Sequence, residues 1–474
     1  MSSEHVGYIV KINELKEHPN ADRLQIAVIF GFPTIVSLDV KLGDIGIYFP
    51  IDLQLSKEYC KINDLVRRKD ENGNAAGGYL DPVKRNIRAM RFRGTPSEGL
   101  FLPLDTLSYT GKTQFEVGEK IDIINGHEIC RKYIPRNSIH EPTRKLGNKT
   151  RKKKVPIAPL FLEHADTEQL AYNLDAFRSG DIIEITLKMH GTSSRTGYLP
   201  KLQGYKRTFL DRILRKEGTP IYDWGYVNGT RRVVLNDFSG GFYGDNSFRE
   251  PHAKFFEGKL NKGETVYYEI VGFMTTGIPI MPTASNNKIS DKSFVKQYGS
   301  TTTFSYGCAS RPFHDSVKDK DIPQSDIYVY RMTMTNEDGD VVEYSPDYMR
   351  YRCEQIGVKY VPVLWKGIIP EKHFIKRGDV REDPDREPIG YVVSQEEIVN
   401  PGEYIKDIAE QYYDGPDPIG ETHVREGVVV RIVNRPKFSA YKHKNFSFKV
   451  LEGIAKDLAA APDIEEAQEI IEEE

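Results

Sequence analysis

Apolar and polar residues alternate in short runs over the first 125 residues, which is the pattern of half-buried β-strands. The runs Val6–Ile12, Leu24–Phe30 and Thr34–Val40 are separated by turns that contain glycine or proline. Short strands with this punctuation are typical of a barrel or a sandwich, not of a helical domain. We therefore predict a separate small β module over residues 1–125.

A later alternating run, Ile182–Leu187, places Lys188 at the end of a predicted strand, and a loop of glycine and hydroxyl residues follows it. A lysine in such a place can be desolvated and surrounded by cations, both of which free its amine as a nucleophile. Gly191 would let the backbone approach a ligand closely, and Arg195 could contact phosphate or ribose. A surface lysine in an ordinary polar turn is the other interpretation.

Composition narrows the possible functions. The 474 residues suffice for two or three domains, and a net charge of −3 means that any nucleic-acid surface must be local. The four cysteines show no Cys-x-x-Cys spacing, which argues against a zinc site or a disulfide framework and suits a reducing compartment. Because we find neither a signal-peptide pattern nor a long apolar run, we expect a cytoplasmic protein without a membrane partner.

Two segments outside the alternating runs are strongly charged. Lysine and arginine dominate the stretch from Arg144 to Lys154, within a linker predicted over residues 126–158. A solvated linker and a segment that contacts RNA phosphates are both compatible with this composition. Residues 451–474 are predicted to form an acidic helical tail with a structural or solubilising role.

Further motifs follow the lysine loop in a fixed order. They are an acidic strand end at Glu269, an aromatic strand with Tyr328 and Tyr330, a Glu426-Gly427 strand, and the pair Lys442 and Lys444. This order resembles the covalent nucleotidyltransferase superfamily of ATP-dependent ligases and capping enzymes. The Lys-x-His-Gly-Thr-Ser form of the loop, and the His-x-Asp-Thr segment within Phe161–Leu170, are similar to those of RNA ligases.

The N-terminal turns extend the resemblance. His18–Leu24 and Arg93–Leu100 are similar to turns of OB-fold RNA-binding modules in tRNA-binding proteins and synthetases. An OB-like module in front of a ligase core resembles the Deinococcus-type RNA ligase clade. DNA ligases and capping enzymes instead carry their OB domain, with a final basic motif, after the core, and we find no candidate for that motif after Lys444.

The resemblance implies an α+β fold class and an activity. An N-terminal OB-like β-barrel would precede a nucleotidyltransferase domain, ATP-grasp-like, over residues 159–450, built of antiparallel sheets with flanking helices. The implied activity is that of an ATP-dependent RNA ligase, which joins 3′-hydroxyl and 5′-phosphate ends through lysyl-AMP and RNA-adenylate intermediates in RNA repair or nick sealing. A ligase for DNA or hybrid nicks and a non-catalytic RNA-binding protein are the alternatives.

Each motif has a role that the resemblance implies. Lys188 would be the adenylylated nucleophile, Lys442 and Lys444 would contact the α-phosphate with Lys449 as an alternative to either, and Glu426 would lie near a Mg²⁺ or Mn²⁺ ion. The implied nucleotide-binding residues are Leu187, His190, Gly191, Arg195, one of Arg231 and Arg232, Glu269 on the ribose hydroxyls, and Tyr328. Glu269 could instead be a strand-end carboxylate that faces water. Tyr328 could instead be an aromatic residue of the core.

Overall fold

The structure is a computed structural model in which the strands lie in two units. It describes residues 5–133, 155–209, 218–235, 238, 246–311, 321–378 and 392–457. We call residues 5–133 the N-terminal unit and the described residues from 155 to 457 the core unit. No helix within these ranges is long and apolar enough to cross a membrane.

Short antiparallel strands build the N-terminal unit around one α-helix, Lys57–Ile62, and a 3₁₀ helix, Leu104–Thr110. A four-stranded sheet has the order Leu100–Pro103, Ile45–Phe49, Gly7–Lys11 and Lys120–Ile121. A three-stranded sheet has the order Leu15–Glu17, Leu24–Ile29 and Phe32–Ser37. The two-stranded pairs are Thr95–Ser97 with Met90–Phe92, Ile123–Ile124 with His127–Glu128, Cys130–Lys132 with Leu53–Leu55, and Arg67–Lys69 with Ala75–Gly77.

The predicted OB-type barrel is not confirmed, because the described sheets of the N-terminal unit do not close into one cylinder. At one seam between them the Glu98 N–H donates to the Pro33 carbonyl at 2.7 Å, and the Ile35 N–H donates to Ser97 Oγ at 3.0 Å. Proline has no N–H to donate, so Pro33 limits the extension of this seam into a regular ladder. The sheets therefore meet through isolated hydrogen bonds there.

The limits of the two units differ from the predicted ones. Cys130–Lys132 pairs with Leu53–Leu55, so the N-terminal unit extends beyond residue 125. The last helix, Phe446–Asp457, crosses the predicted end of the core at residue 450. The basic stretch from Arg144 to Lys154 and the acidic residues 458–474 lie outside the described residues.

The core unit contains two large sheets, which confirms the antiparallel arrangement predicted for it. The five-stranded sheet has the order Glu168–Gln169, Ser439–Lys444, Gly427–Ile432, Ile182–Lys188 and Val363–Ile368, and only its first pair is parallel. The six-stranded sheet has the order Val234–Leu235, Thr219–Gly229, Thr192–Lys206, Glu264–Gly272, Ser325–Thr335 and Val341–Glu343. Smaller pairs are Ala284–Ser285 with Thr301–Thr302 and Lys372–Gly378 with Val392–Ile398.

Helices flank these sheets, and several of them begin where the sequence supplies a capping side chain. Their bounds are Glu250–Phe255, Lys292–Tyr298, Pro346–Ile356, Pro401–Tyr412 and Phe446–Asp457. Ser345 and Asn400 each accept a backbone N–H from the first turn of the helix that follows, and each helix has proline at its start. Asn445, directly after Lys444, accepts the Phe448 N–H at 3.1 Å and so caps the last helix.

The lysine loop joins the two large sheets. Ile182–Lys188 belongs to the five-stranded sheet and Thr192–Lys206 to the six-stranded sheet, so residues 189–191 cross from one to the other. A buried cluster that includes Met189, Phe304 and Phe448 fills the space beneath this crossing. Lys188 therefore lies at the junction of the two sheets, where a cavity opens.

The N-terminal unit packs directly against the core unit. Tyr172 of the core unit lies among three rings of the N-terminal unit, with centroid distances of 5.2 Å to Tyr8, 5.0 Å to Phe30 and 6.2 Å to Phe32. Ala89 of the N-terminal unit shares a buried cluster with Val450 of the last helix. Removing apolar surface from water in this way stabilises the contact, so the two units share part of their core.

Candidate active site

Strand register brings Lys188, Glu426 and Lys444 together. Gly427 is the pairing partner of Lys188 on one side and of Lys444 on the other. Glu426 precedes Gly427 and therefore lies between the two lysines. The φ angle of Gly427 is +147°, and a Cβ atom there would lie 2.1 Å from the His443 carbonyl oxygen, so the position requires glycine.

The Glu426 carboxylate is the centre of charge in this group. Its Oε1 lies 2.8 Å from Lys188 Nζ and 3.3 Å from Lys444 Nζ, and the side chain is 2% exposed. Burial by itself would raise the pKa of Glu426, but Lys188, Lys444 and His190 together outweigh it and hold the pKa below its usual range. The carboxylate is therefore ionised at neutral pH and paired with both ammonium groups.

Lys444 has a second acidic partner. Its Nζ lies 3.0 and 2.9 Å from the two carboxylate oxygens of Glu452, in the last helix. Sequence reasoning missed Glu452, because the contact exists only after Asn445 has started a helix that folds back over the strand. Two carboxylates thus hold the Lys444 ammonium at one place beside the cavity.

His190 lies next to this charged group in an apolar setting. Its ring stands edge-on to Phe304 and Phe448, at centroid distances of 4.6 and 4.8 Å, and its Nδ1 is 3.7 Å from Glu426 Oε2. Burial lowers the pKa of His190 to about 4, against the opposing effect of Glu426. The imidazole is therefore neutral at pH 7.

Glu269 is tied to the lysine loop. Its Oε1 accepts the Gly191 N–H at 3.1 Å, and its Oε2 accepts the Ser193 hydroxyl at 3.1 Å. A Cβ atom at Gly191 would lie 2.4 Å from the Ile270 carbonyl oxygen, so the close approach of these two segments depends on glycine. The loop is thus held by the carboxylate that sequence reasoning assigned to the ribose, and both lie in the cavity wall.

A cavity of about 230 Å³ unites most of the predicted residues. The predicted residues that line it are Leu187, Lys188, His190, Gly191, Arg231, Glu269, Glu426 and Lys444. Lys442 lies two residues before Lys444 on the same strand, outside the lining. Lys449, the alternative to either lysine, instead pairs with Glu98 of the N-terminal unit at 2.6 Å.

Arg195 does not reach the cavity, contrary to its predicted role as a nucleotide ligand. Its side chain is 1% exposed, lies over the Phe161 ring at 4.3 Å and donates to the Arg232 carbonyl at 3.0 Å. It also donates to the carbonyl of Leu162. The guanidinium therefore binds the backbone of neighbouring segments, because the Thr192–Lys206 strand turns it away from the cavity.

Arg231 and Arg232 are adjacent in the sequence but differ in whether they line the cavity. Arg231 and Arg232 both pair with Asp166, the latter at 2.9 Å, but only Arg231 lines the cavity. His164 of the same His-x-Asp-Thr segment also lines it. Burial, and then the neighbouring Arg231, lower the pKa of His164 well below its ordinary value. The segment thus supplies a neutral imidazole and fixes the inward arginine.

Of the two tyrosines on the aromatic strand, Tyr330 lines the cavity and Tyr328 does not. Tyr328 is 5% exposed and belongs to the buried cluster beneath the lysine loop. Tyr330 is skipped in the strand register, since Tyr267 pairs with Arg331 and Tyr268 with Val329, and its ring lies 5.1 Å from that of His164. Tyr330, which a β-bulge places in the wall, is therefore the tyrosine of this strand that faces the cavity, in place of the predicted Tyr328.

Further down the cavity lie charged residues that the sequence did not mark. Glu184 precedes Lys188 by four residues on the same face of its strand, and Arg350 of the helix Pro346–Ile356 pairs with it at 2.9 Å. Arg431 lines the same end. These contacts join residues far apart in the chain, so no local pattern could have predicted them.

Carboxylate oxygens suited to a hard divalent cation are present but few. Glu184, Glu269, Glu426 and Glu452 line the cavity. Within the described ranges, no group of three or more His, Cys, Asp or Glu side chains is arranged to hold a metal ion.

The fold can be compared with solved structures. No protein-family model matches the sequence, and no curated protein matches it either. The fold is similar to that of a Naegleria gruberi RNA ligase variant with ATP and Mn, with a TM-score of 0.52 and 17% identity over 95% of this chain and 99% of that chain. The same ligase with PPi gives a TM-score of 0.51 and 16% identity over 94% of this chain and 97% of that chain. An apo variant of it gives a TM-score of 0.51 and 16% identity over 95% of this chain and 98% of that chain. The chain therefore has an RNA ligase fold.

The strand that carries Lys444 also supplies a pH-dependent element of stability. His443 is 4% exposed and stacks on Tyr413 at 4.7 Å. Burial, helped by Lys449 and Lys406, lowers its pKa to about 3. Because the unfolded chain binds the proton near pH 6.5, this neutral histidine contributes stability that is complete above that pH and is lost as the pH falls towards 3.

We expect His443→Phe, which keeps the stacking and removes the proton site, to reduce the loss of stability on acidification. The difference between pH 7 and pH 5 should shrink by about 2 kcal/mol relative to the unmodified protein. Denaturant unfolding at both pH values measures it. Equal losses in the two proteins would contradict a buried neutral His443.

Proposed function

We propose that the chain is an ATP-dependent RNA ligase that joins 3′-hydroxyl and 5′-phosphate RNA ends. The observation that carries this proposal is the Lys188–Glu426–Lys444 group, set in the wall of a cavity between the two large sheets. The RNA ligase fold supports it, as does the similarity to Naegleria gruberi RNA ligase structures with ATP and Mn, with AMP and Mn, and with PPi. RNA repair or nick sealing, in the cytoplasm, is the process that we assign to it.

The reaction would proceed through two covalent adenylates. Lys188 Nζ forms a bond to the α-phosphorus of ATP as the bond to the pyrophosphate oxygen breaks. A 5′-phosphate oxygen of the RNA then displaces the lysine nitrogen, and finally the 3′-hydroxyl oxygen attacks that 5′-phosphorus and AMP leaves. Lys444 lies beside Lys188 through their shared partner Glu426, so its ammonium is placed to offset charge that accumulates on the α-phosphate.

The remaining lining residues would bind the nucleotide. Glu269 would accept ribose hydroxyls, Arg231 would contact phosphate or ribose, and Tyr330 would pack near the nucleotide. The backbone at Leu187 and Gly191 lines the same wall. Lys442, on the strand of Lys444, is proposed as a further phosphate contact once substrate is bound.

Mg²⁺ or Mn²⁺ would be held by Glu426 together with phosphate and water oxygens. The cation would supply charge neutralisation at the phosphates. Glu426 fits this role because its carboxylate is ionised and lines the cavity beside Lys188.

The N-terminal unit is proposed to bind RNA, in line with the arrangement of the Deinococcus-type clade that the sequence resembles. Several arginines lie at or just before the turn Arg93–Leu100. Among them, Arg91 forms an ion pair with Asp291 and lies over the Phe446 ring of the core unit. Arg88 and Arg93, three residues before Arg91 and two residues after it, are proposed to contact phosphates.

Lys188→Ala is expected to abolish the covalent transfer of AMP from ATP to the protein. Incubation with α-labelled ATP and Mn²⁺, followed by a denaturing gel and mass spectrometry of the labelled peptide, measures it. Lys206→Ala, at the exposed end of the Thr192–Lys206 strand, serves as the matched control and should be labelled normally. Covalent AMP that persists in Lys188→Ala, or that maps to Lys444, would contradict the assignment.

Glu426→Gln, which keeps the shape and removes the charge, is expected to lower AMP transfer by on the order of 10²-fold or more. Lys444 retains Glu452 in this variant, and the Lys188 side chain, which is 22% exposed, can be solvated, so the melting temperature should change little. AMP transfer and the melting temperature are measured on the same preparation. A variant that melts much earlier but keeps its specific activity would show that Glu426 serves folding instead.

A ligase for DNA nicks is the competing function, since the core motifs are shared with DNA ligases. The two are separated by nicked duplexes that differ only in whether the 3′-hydroxyl strand ends in RNA or DNA. We expect sealing to be faster by at least about tenfold with RNA there, which corresponds to roughly 1.4 kcal/mol. Equal rates on both substrates would favour the DNA or hybrid ligase.

A further inference from the structure

A buried ion pair joins the two units beside the candidate active site. Lys449 Nζ lies 2.6 Å from Glu98 Oε2, and the two side chains are only 4% and 7% exposed. The same ammonium lies over the Phe32 ring at 4.3 Å. A charge buried this far is costly when it has no partner, so the pair holds its two units in one relative position.

Glu98 is rigidly mounted on the N-terminal unit. Its N–H donates to the Pro33 carbonyl at 2.7 Å, while its own carbonyl accepts the Tyr48 hydroxyl at 2.8 Å and the Thr34 hydroxyl at 3.0 Å. Gly99, which follows, has a φ angle of +99°. The carboxylate therefore projects from a fixed turn and not from a flexible surface loop.

Lys449 lies on the last helix, which also reaches the cavity. Phe448 and Glu452 of this helix line the cavity, whereas Lys449 and Val450 contact the N-terminal unit. Glu452 holds the Lys444 ammonium at 2.9 Å. This helix thus contacts the N-terminal unit on one side and Lys444 on the other.

We propose that Glu98 and Lys449 are positioning residues for the active site. Through this pair the N-terminal unit fixes the last helix, so that Glu452 holds Lys444 and Phe448 supports His190, whose ring lies 4.8 Å away. The inference rests on the proposed function, because it concerns the rate of lysyl-AMP formation. It makes the N-terminal unit part of the adenylylation machinery in addition to any contact with RNA.

The test uses the full chain with the double substitution Glu98→Gln/Lys449→Met. This variant removes both charges with little change in shape, so it leaves no unpaired buried charge to unfold the protein. We expect a melting temperature close to that of the unmodified protein. We also expect lysyl-AMP to form about 10-fold more slowly at saturating ATP, with little change in the KM for ATP, since small misplacements of reacting groups are costly.

Glu119→Gln is the matched control. Glu119 pairs with Lys112 inside the N-terminal unit, so this variant removes a more exposed ion pair of the same unit without touching the last helix. Its rate of lysyl-AMP formation should equal that of the unmodified protein. A slower rate in this control would mean that any weakening of the N-terminal unit slows the reaction, and the specific role of Glu98 and Lys449 would be lost.

The outcomes separate the two proposals. If the double variant forms lysyl-AMP at the unmodified rate, the positioning role is wrong and the proposed ligase function stands. If the slower rate disappears when the temperature is lowered to restore the fold, the pair serves stability alone and the inference is also overturned. If the unmodified protein forms no lysyl-AMP with Mg²⁺ or Mn²⁺, the proposed function itself fails.

Discussion

The burial of the Glu426 charge is the constraint on which the rest of the site depends. A carboxylate that is 2% exposed costs several kcal/mol unless cations accompany it, and Lys188 and Lys444 do so at 2.8 and 3.3 Å. Both lysines are register partners of Gly427. A slip of one residue in either strand pair would turn a lysine to the other face and leave the carboxylate without it. One buried charge therefore fixes the alignment of three strands.

The same ion pair determines what must change if the protein works as proposed. Lys188 has to leave Glu426 before its amine can attack phosphorus, and a divalent cation near Glu426 would compete for the same carboxylate. Lys444 is held by Glu452 as well, so it would stay in place when Glu426 is engaged elsewhere. Glu452 thus allows Glu426 to exchange a lysine for a cation without displacing Lys444.

The local motifs could be predicted from sequence, and their long-range partners could not. A strand that ends in Lys188 and a Glu426-Gly427 pair are visible as periodicity and glycine placement over a few residues, and the structure brings them together. Arg195 belongs to the same local motif, yet its guanidinium binds backbone carbonyls. The face of a long strand that meets a cavity is determined by the neighbouring sheet, and the local sequence does not contain that information. The β-bulge that selects Tyr330 over Tyr328 is equally invisible, since it arises from the register against the neighbouring strand.

The last helix shows this limit most clearly. Lys449 and Glu452 stand three residues apart with opposite charges, which in isolation predicts an exposed pair on the helix surface. In the structure Lys449 reaches Glu98, 351 residues away, and Glu452 reaches Lys444. Each charge pairs with a partner on another element and not with its neighbour on the helix, because the lower dielectric of the interior strengthens such pairs. The helix Phe446–Asp457, which spans the predicted boundary between core and acidic tail at residue 450, therefore links the two units.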